Sequence, residues 1–271
     1  MPEGDTIHRT AATLRRALLG RSLTRVEVPR LPPPLPTVGT EITRIEARGK
    51  HLLLHTGDGL IVHTHLRMTG SWHLYRPRER WRKSARSARV VLGVEDAVAV
   101  CFAVPVVEVL DARGLLRHPA LRRLGPDLCE PDADIDEAVR RLGRLVDAER
   151  SIGEALLDQR VACGVGNVYR CDVLFLHGLH PGTPVRHIDE ASRHALLTTA
   201  SELLRANLDG PARTTVAGRA PGSLWVHGRG GEPCRRCGRA IEVDRLGEHA
   251  RYVYHCPTCQ PASAARSTTT R

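Results

Sequence analysis

The sequence predicts an α+β multidomain protein: an N-terminal helix plus a β-sandwich, then a helical domain, then a C-terminal zinc-finger β-hairpin. Three observations carry this reading. Apolar residues recur at helical spacing over 1–20 and again beyond 134. Between 23 and about 117 they gather instead into short strand-like runs separated by turn residues. Two Cys-x-x-Cys pairs stand near the end of the chain.

The elements follow in order. Ile7, Ala11, Leu14 and Leu18 mark one face of the first helix, with Asp5 as the expected N-cap and Gly20 as the stop. Leu52–His55 and Leu60–His65 flank Gly57-Asp58-Gly59, a hairpin signal, and Val90–Val94 and Val98–Ala103 flank Glu95-Asp96 in the same way. Val106–Leu110 adds a strand; several short strands of this kind make a sandwich. Pro29–Pro36 reads as a proline-rich loop and Arg76–Arg89 as a basic one.

Leu124-Gly125-Pro126-Asp127 reads as a linker, after which the period turns helical. Asp134 caps a helix carrying Ile135, Ala138, Val139, Leu142 and Leu145. Ser151-Ile152-Gly153-Glu154 matches a capping box opening a short helix to about Gln159. A glycine turn, Cys163–Asn167, leads into a helix reaching about His177, and a further helix runs from Asp189 to Leu208. Glu242–Tyr254 is the expected hairpin between the cysteine pairs. The resulting domains are 1–125, 126–217 and 218–261, with 262–271 a disordered tail.

The 271 residues are 41% apolar and 26% charged, and no apolar run approaches the ~18 residues that span a bilayer. The start, Met1-Pro2-Glu3-Gly4-Asp5, shows no basic and apolar leader. A membrane protein and a secreted one are thereby disfavoured, and a cytoplasmic protein is expected. The net charge of +10 suits a polyanionic partner, with an arginine-favouring genome as the competing cause. Of the 40 basic residues only Lys50 and Lys83 are lysine.

Cys234, Cys237, Cys256 and Cys259 place two knuckles 18 residues apart, a spacing that gives zinc four thiolates. All four positions are then filled, so one structural Zn2+ is expected and metal catalysis is not. Arg245 and Arg251 lie on the hairpin, where an arginine reaches a phosphate or is a solvated charge. Gly164 and Gly166 ahead of Asn167 fit either an anion at a helix N-terminus or a plain turn. Removal of Met1 would expose the secondary amine of Pro2, a nucleophile toward aldehydes, with Glu3 beside it for proton transfer. Lys50 at a strand edge suits a phosphate or is simply solvated. His63-x-His65 shares a strand face, a conceivable metal pair for which a packed or polar-face reading is preferred.

Taken together these features resemble the formamidopyrimidine-DNA glycosylase/endonuclease VIII family. The resemblance is carried in order by Pro2-Glu3-Gly4-Asp5, Arg48-Gly49-Lys50, His65–Gly70, Ile152–Gln159, Gly164–Arg170 and Gly231–Gln260. It implies a helix–two-turns–helix middle domain and a bifunctional base-excision repair enzyme acting on a nucleotide flipped out of damaged DNA. It implies Pro2 as the nucleophile at the sugar C1′, Glu3 as its acid/base, and Lys50 as a phosphate ligand beside the lesion. It also implies Asn167, at the turn with Gly166, and Arg251 as grips on the flanking phosphates, and Arg67 and Met68 as fillers of the vacated helix.

Two departures favour the endonuclease VIII-like branch and oxidised pyrimidines. Val104–Glu108 holds no Arg-Arg-Phe wedge, and only about nine residues separate Thr215 from Trp225. That branch's usual void-filling triplet is also replaced, by Arg67-Met68-Thr69. The alternatives are an oxidised-purine glycosylase and a non-catalytic damaged-DNA-binding protein. The expected partner is damaged DNA, bound by a cytoplasmic, nucleoid-associated monomer with no membrane partner and no nucleotide cofactor.

Overall fold

The computed structural model describes residues 2–210, 212–248 and 250–262, so the expected tail from 263 onward lies outside the described residues. The chain divides into two compact units, Met1–Leu124 and Gly125–Arg271.

The first unit opens with helix α1, Gly4–Leu18, whose buried face is Ile7, Ala11, Leu14 and Leu18 as the spacing requires. Asp5 is not its cap. Glu3 takes the extended N-cap conformation, and its carbonyl accepts from the Thr6 and Ile7 N–H groups at 3.0 and 3.2 Å. Asp5 lies inside the first turn, where the helix dipole favours a carboxylate without a capping bond, and accepts from Arg9 and Thr6.

Eight strands follow: β1 (Arg25–Glu27), β2 (Ile42–Arg48), β3 (His51–Thr56), β4 (Ile61–His65), β5 (Ser71–Tyr75), β6 (Ala88–Gly93), β7 (Val98–Phe102) and β8 (Val106–Leu110). They form two antiparallel four-stranded sheets, ordered β1-β6-β7-β5 and β2-β3-β4-β8. The two expected hairpins are β3–β4 and β6–β7. One apolar core joins α1 to Ile42, Leu52, Leu54, Val62, Val90, Leu92 and Ala99. Each large side chain fully buried there contributes about 1.5–3 kcal/mol.

Both sheets are also covered on their outer sides, which explains why Leu52-Leu53-Leu54 and Val98–Phe102 are buried without alternation. Leu53 and Ile61 pack against Leu121 and Leu115, the latter on the short helix α2 (Ala112–Arg117). Val98, Val100 and Phe102 pack against Trp81 of the basic loop. That loop crosses the outer face of its sheet as a strap.

The second unit is helical until its end. Helices α3 (Ile135–Leu145) and α6 (Glu190–Ala206) are capped by Asp134 and Asp189, whose side chains accept from the Glu137 and Ser192 N–H groups at 2.7 Å. Ser151 caps α4 (Ile152–Ala155), its hydroxyl accepting from Glu154 N–H and donating to the Glu154 carboxylate. Helix α4 stops at Ala155, short of the expected Gln159, because the following residues turn back to brace the glycine turn. Helix α5 spans Asn167–Leu176, and strands β9 (Glu242–Leu246) and β10 (Arg251–His255) pair as the expected hairpin. Cys171 and Phe175 of α5 share a core with Val226, Ile241 and Val253, which ties the hairpin to the helices.

Candidate active site and zinc centre

Register determines what meets at one end of the first unit. Helix α1 ends beside the start of β2, since Gly20 N–H donates to Ile42 at 2.9 Å and Arg15 Nε to Ile45 at 2.6 Å. The 15-residue helix is about 22 Å long and the seven-residue strand about 23 Å. Running antiparallel, they bring Pro2 and Glu3 to the end where β2 turns through Gly49 and Lys50. His51 is paired with His65 across β3 and β4, so the chain leaving β4 starts the Arg67-Met68 turn at that same end.

Glu3 is fully buried, whereas Pro2 and Lys50 are half-buried. The 66–70 turn is tightly built. Arg67 holds a left-handed φ of +48°, and its N–H donates to His65 Nδ1 at 3.2 Å. A Cβ on Gly70 would lie 2.8 Å from the Leu66 carbonyl oxygen, so only glycine closes the turn. Thr69 Oγ1 donates to the Ala103 carbonyl at 2.8 Å. Met68 is left 68% exposed, an apolar side chain projecting from a fixed turn. Val104 is buried and β8 starts at Val106, so the connection into β8 projects no second wedge.

Behind this rim lies a histidine chain. His63 is buried, with Nδ1 2.7 Å from Glu108 and Nε2 2.8 Å from His51 Nδ1. Glu108 also meets His118 at 2.9 Å. Both ring nitrogens of His63 are thereby engaged within the fold, as the packed reading expects, and the groups clustered with it are Glu108 and His118 rather than His65. Burial pushes His51 down to about 2, helped by His65, and pushes His65 down to about 4, helped by the Arg67 and Lys50 charges.

In the second unit the glycine turn is held by a residue the sequence reading did not single out. Gln159 Oε1 accepts from Gly164 N–H at 3.1 Å, and its Nε2 donates to the Leu157 and Val165 carbonyls. Gly164 needs its φ of +105° to make this turn. Gly166 is the extended N-cap of α5. Asn167, 9% exposed, donates through Nδ2 to the Tyr252 carbonyl at 2.9 Å. Arg170, fully buried, donates to the same carbonyl at 3.0 Å, to Gly153 at 3.3 Å, and to Asn167 Oδ1. Tyr252 adjoins Arg251, so the clasp brings the N-terminus of α5 and Arg251 together. Arg251 is exposed and lines a 320 Å³ cavity with Arg150, Arg160 and Arg170. Arg245 turns elsewhere, stacking on Tyr252 and donating to its hydroxyl at 2.9 Å. Asp172 was also missed: buried, it accepts from the Trp225, Val226 and His227 N–H groups at 2.9–3.0 Å and from Thr215.

The four cysteine sulfurs lie within 4.8 Å of one another, Cys237 to Cys256 at 3.5 Å and Cys234 to Cys259 at 3.9 Å. Zinc with four thiolates at ~2.3 Å sets sulfurs about 3.8 Å apart, so the donor set fits the ion. Arg236 N–H points at Cys234 Sγ and Cys259 N–H at Cys256 Sγ, orienting the ligands.

Comparisons with known proteins converge on these parts. The formamidopyrimidine-DNA glycosylase N-terminal domain model matches residues 1–105, its H2TH domain model 124–217, and the zinc finger found in FPG and IleRS 231–262. "Probable endonuclease 8 2" of Streptomyces coelicolor is 42% identical, over 98% of this chain and 96% of that protein. The DNA-(apurinic or apyrimidinic site) lyase of Mycolicibacterium smegmatis is 41% identical over 97% and 100%, and Endonuclease 8 of Escherichia coli 32% over 96% and 100%. The Lactococcus lactis formamidopyrimidine-DNA glycosylase bound to AP-site DNA shares the fold, at TM-score 0.80 and 24% identity over 96% of this chain and 100% of that one.

These parts define a base-excision DNA glycosylase with AP lyase activity and one structural zinc site. The chain belongs to the formamidopyrimidine-DNA glycosylase/endonuclease VIII family, on its endonuclease VIII-like side.

Proposed function

We propose that the protein removes oxidised bases, pyrimidines foremost, from DNA through an iminium intermediate on Pro2. The observation that carries this reading is the convergence of Pro2–Glu3, Lys50 and the Arg67-Met68 turn at one end of the first unit. With Met1 removed, the Pro2 nitrogen bonds to C1′ as the bond from C1′ to the damaged base breaks, and the proton the amine gives up is taken by the departing base. Glu3 delivers the proton that opens the sugar ring, and the nitrogen is left as an iminium with no N–H to lose. Loss of a proton from C2′ then expels the 3′ phosphate by β-elimination, and a further elimination expels the 5′ phosphate. Lys50, Asn167 with Gly166, and Arg251 hold phosphates around the lesion, and Met68 with Arg67 fills the space of the flipped nucleotide.

The preference for pyrimidines rests on the missing second wedge before β8 and on the short segment from Thr215 to Trp225, which closes on itself through Thr215 N–H to Ser223 at 2.9 Å. The chain is read as domains 1–125, 126–217 and 218–261. It is read as working as a monomer on cytoplasmic, nucleoid-associated DNA without a nucleotide cofactor. Among the described residues no helix is long and apolar enough to cross a membrane. Borohydride trapping on a duplex with one abasic site tests the mechanism. A covalent adduct is expected from the wild type and none from a variant whose Pro2 amine is blocked by an extra residue. Equal adducts from both would overturn the assignment of Pro2.

A further inference from the structure

The basic strap over the outer sheet has no part in the chemistry above. Between Arg76 and Arg89 it carries seven cations and one acid. Arg76, Arg78, Arg80, Arg82, Lys83 and Arg86 are all exposed. Among the described residues none of these six forms an ion pair with a carboxylate. Glu79 accepts from the Arg76 N–H at 2.8 Å.

Such a run of like charge ordinarily repels itself and stays unfolded. Here it is pinned. Trp81 packs edge-on to Phe102 with centroids 5.6 Å apart and lies against Tyr75, while Arg25 sits over its ring at 5.7 Å. Arg82 N–H donates to the Tyr75 hydroxyl at 3.2 Å. Lys83 Nζ donates to Ser71 Oγ at 2.8 Å, next to Gly70 of the Met68 turn. The strap therefore runs the length of β5, from Tyr75 back to the turn, and borders an open groove of about 560 Å³. Five strand residues span about 14–17 Å, the axial length of roughly four phosphates of one DNA strand.

We propose that the strap is a second phosphate-binding surface, gripping nucleic-acid backbone beyond the lesion site. Arginine forks match phosphate oxygens in pairs, and a fixed backbone spares the ordering cost of a loose basic tail. Continuity with the Met68 turn selects nucleic acid over an acidic protein, and to that extent the inference rests on reading the turn as DNA-facing. Its function would be sequence-independent: holding undamaged DNA during search and lengthening the footprint around a lesion.

The test measures affinity of the full-length zinc-loaded protein for an undamaged 30-base-pair duplex across a salt series. The strap variant carries Arg78→Gln, Arg80→Gln, Arg82→Gln and Arg86→Gln. A control with equal charge loss carries Arg113→Gln, Arg117→Gln, Arg122→Gln and Arg123→Gln, all exposed residues of the same unit. The strap variant is expected to lower the slope of log K against log salt by about 2–4 units, and the control by less than one. An unchanged slope, or equal losses in both variants, overturns the proposal; so does an unchanged slope accompanied by tight binding of poly-glutamate to the wild type alone. Should the strap variant melt early, Arg80→Glu with Arg86→Glu replaces it under the same criteria. No cleavage is read, so failure here is distinct from failure of Pro2 to form an adduct.

Discussion

The Pro2 end of the first unit and the glycine turn of the second are built in opposite ways. Pro2 is half-buried, Met68 is 68% exposed, and Arg67 projects from a turn held by backbone and by His65. Asn167 is 9% exposed and Arg170 fully buried, both fastened to the Tyr252 carbonyl. A nucleophile must be reachable by the sugar it attacks. On the proposed reading the second is a phosphate grip, whose geometry Asn167 and Arg170 fix from the interior while Arg251 stays exposed. The difference teaches that the first unit leaves Pro2 and Met68 accessible above a buried Glu3, whereas the turn of the second is set from the interior.

The comparison can be broken at its strongest point by removing zinc. Structural zinc in small fingers contributes about 10–16 kcal/mol of folding free energy. Cys237→Ala is expected to eliminate stoichiometric zinc and weaken DNA binding at least ~100-fold, with the β9–β10 hairpin no longer protected from hydrogen exchange. Normal DNA affinity without zinc, by metal analysis, would show that the second unit does not depend on its finger. Glu3→Gln should come next, slowing base excision by about 10²–10⁴-fold while affinity for an abasic-site analogue changes little, because it removes proton transfer alone. Single-turnover kinetics beside equilibrium binding separates the two.

The interior of the first unit has its own signature. His51 is held neutral in the folded state, pushed down to about 2 by burial and His65, whereas an unfolded histidine titrates near 6.5. Below pH 6.5 the unfolded state takes up a proton that the folded state refuses, so stability falls as pH falls, continuing toward pH 2. Between pH 6.5 and 5 the loss from His51 is about 1–2 kcal/mol. His51→Leu should flatten this acid limb in denaturant titrations, and an unchanged limb would place the titrating group elsewhere. The smallest effect belongs to Arg251→Ala, which should reduce the salt slope of DNA affinity by about one unit without moving the melting temperature. A loss of stability instead would make Arg251 a member of the clasp rather than a grip.

Much of the fold was legible because its signals are local. Asp134 and Ser151 cap helices as their spacing predicts, the helix expected from Asp189 starts there with that residue as its cap, and the two turn-flanked apolar pairs are hairpins. Asp5 misled because a carboxylate in the first turn looks the same in sequence as one at the cap. Helix α2 is six residues long with no buried face, too short for a period to register. Strands β1 and β5 are short and bounded by polar loops, so they gave no separate signal. At the candidate site the residue types that carry chemistry were legible, the supporting shell was not. Arg170 and Asp172 act mainly through partners more than 50 residues away, and Gln159 through main-chain groups of the turn it braces, so nothing in a local window distinguishes them from surface polar residues.

The clasp on the Tyr252 carbonyl has a consequence for inherited variation. Asn167 and Arg170 read a main-chain oxygen, an atom that nearly every amino acid supplies. Position 252 is therefore open to drift: a lineage can exchange the tyrosine, and with it the stacking of Arg245, while the anchor persists. Positions 167 and 170 have less latitude, since each is buried and reaches that oxygen through its own side chain. Loss of either removes one of the two donors and the bond between them, and leaves the other to hold the anchor alone.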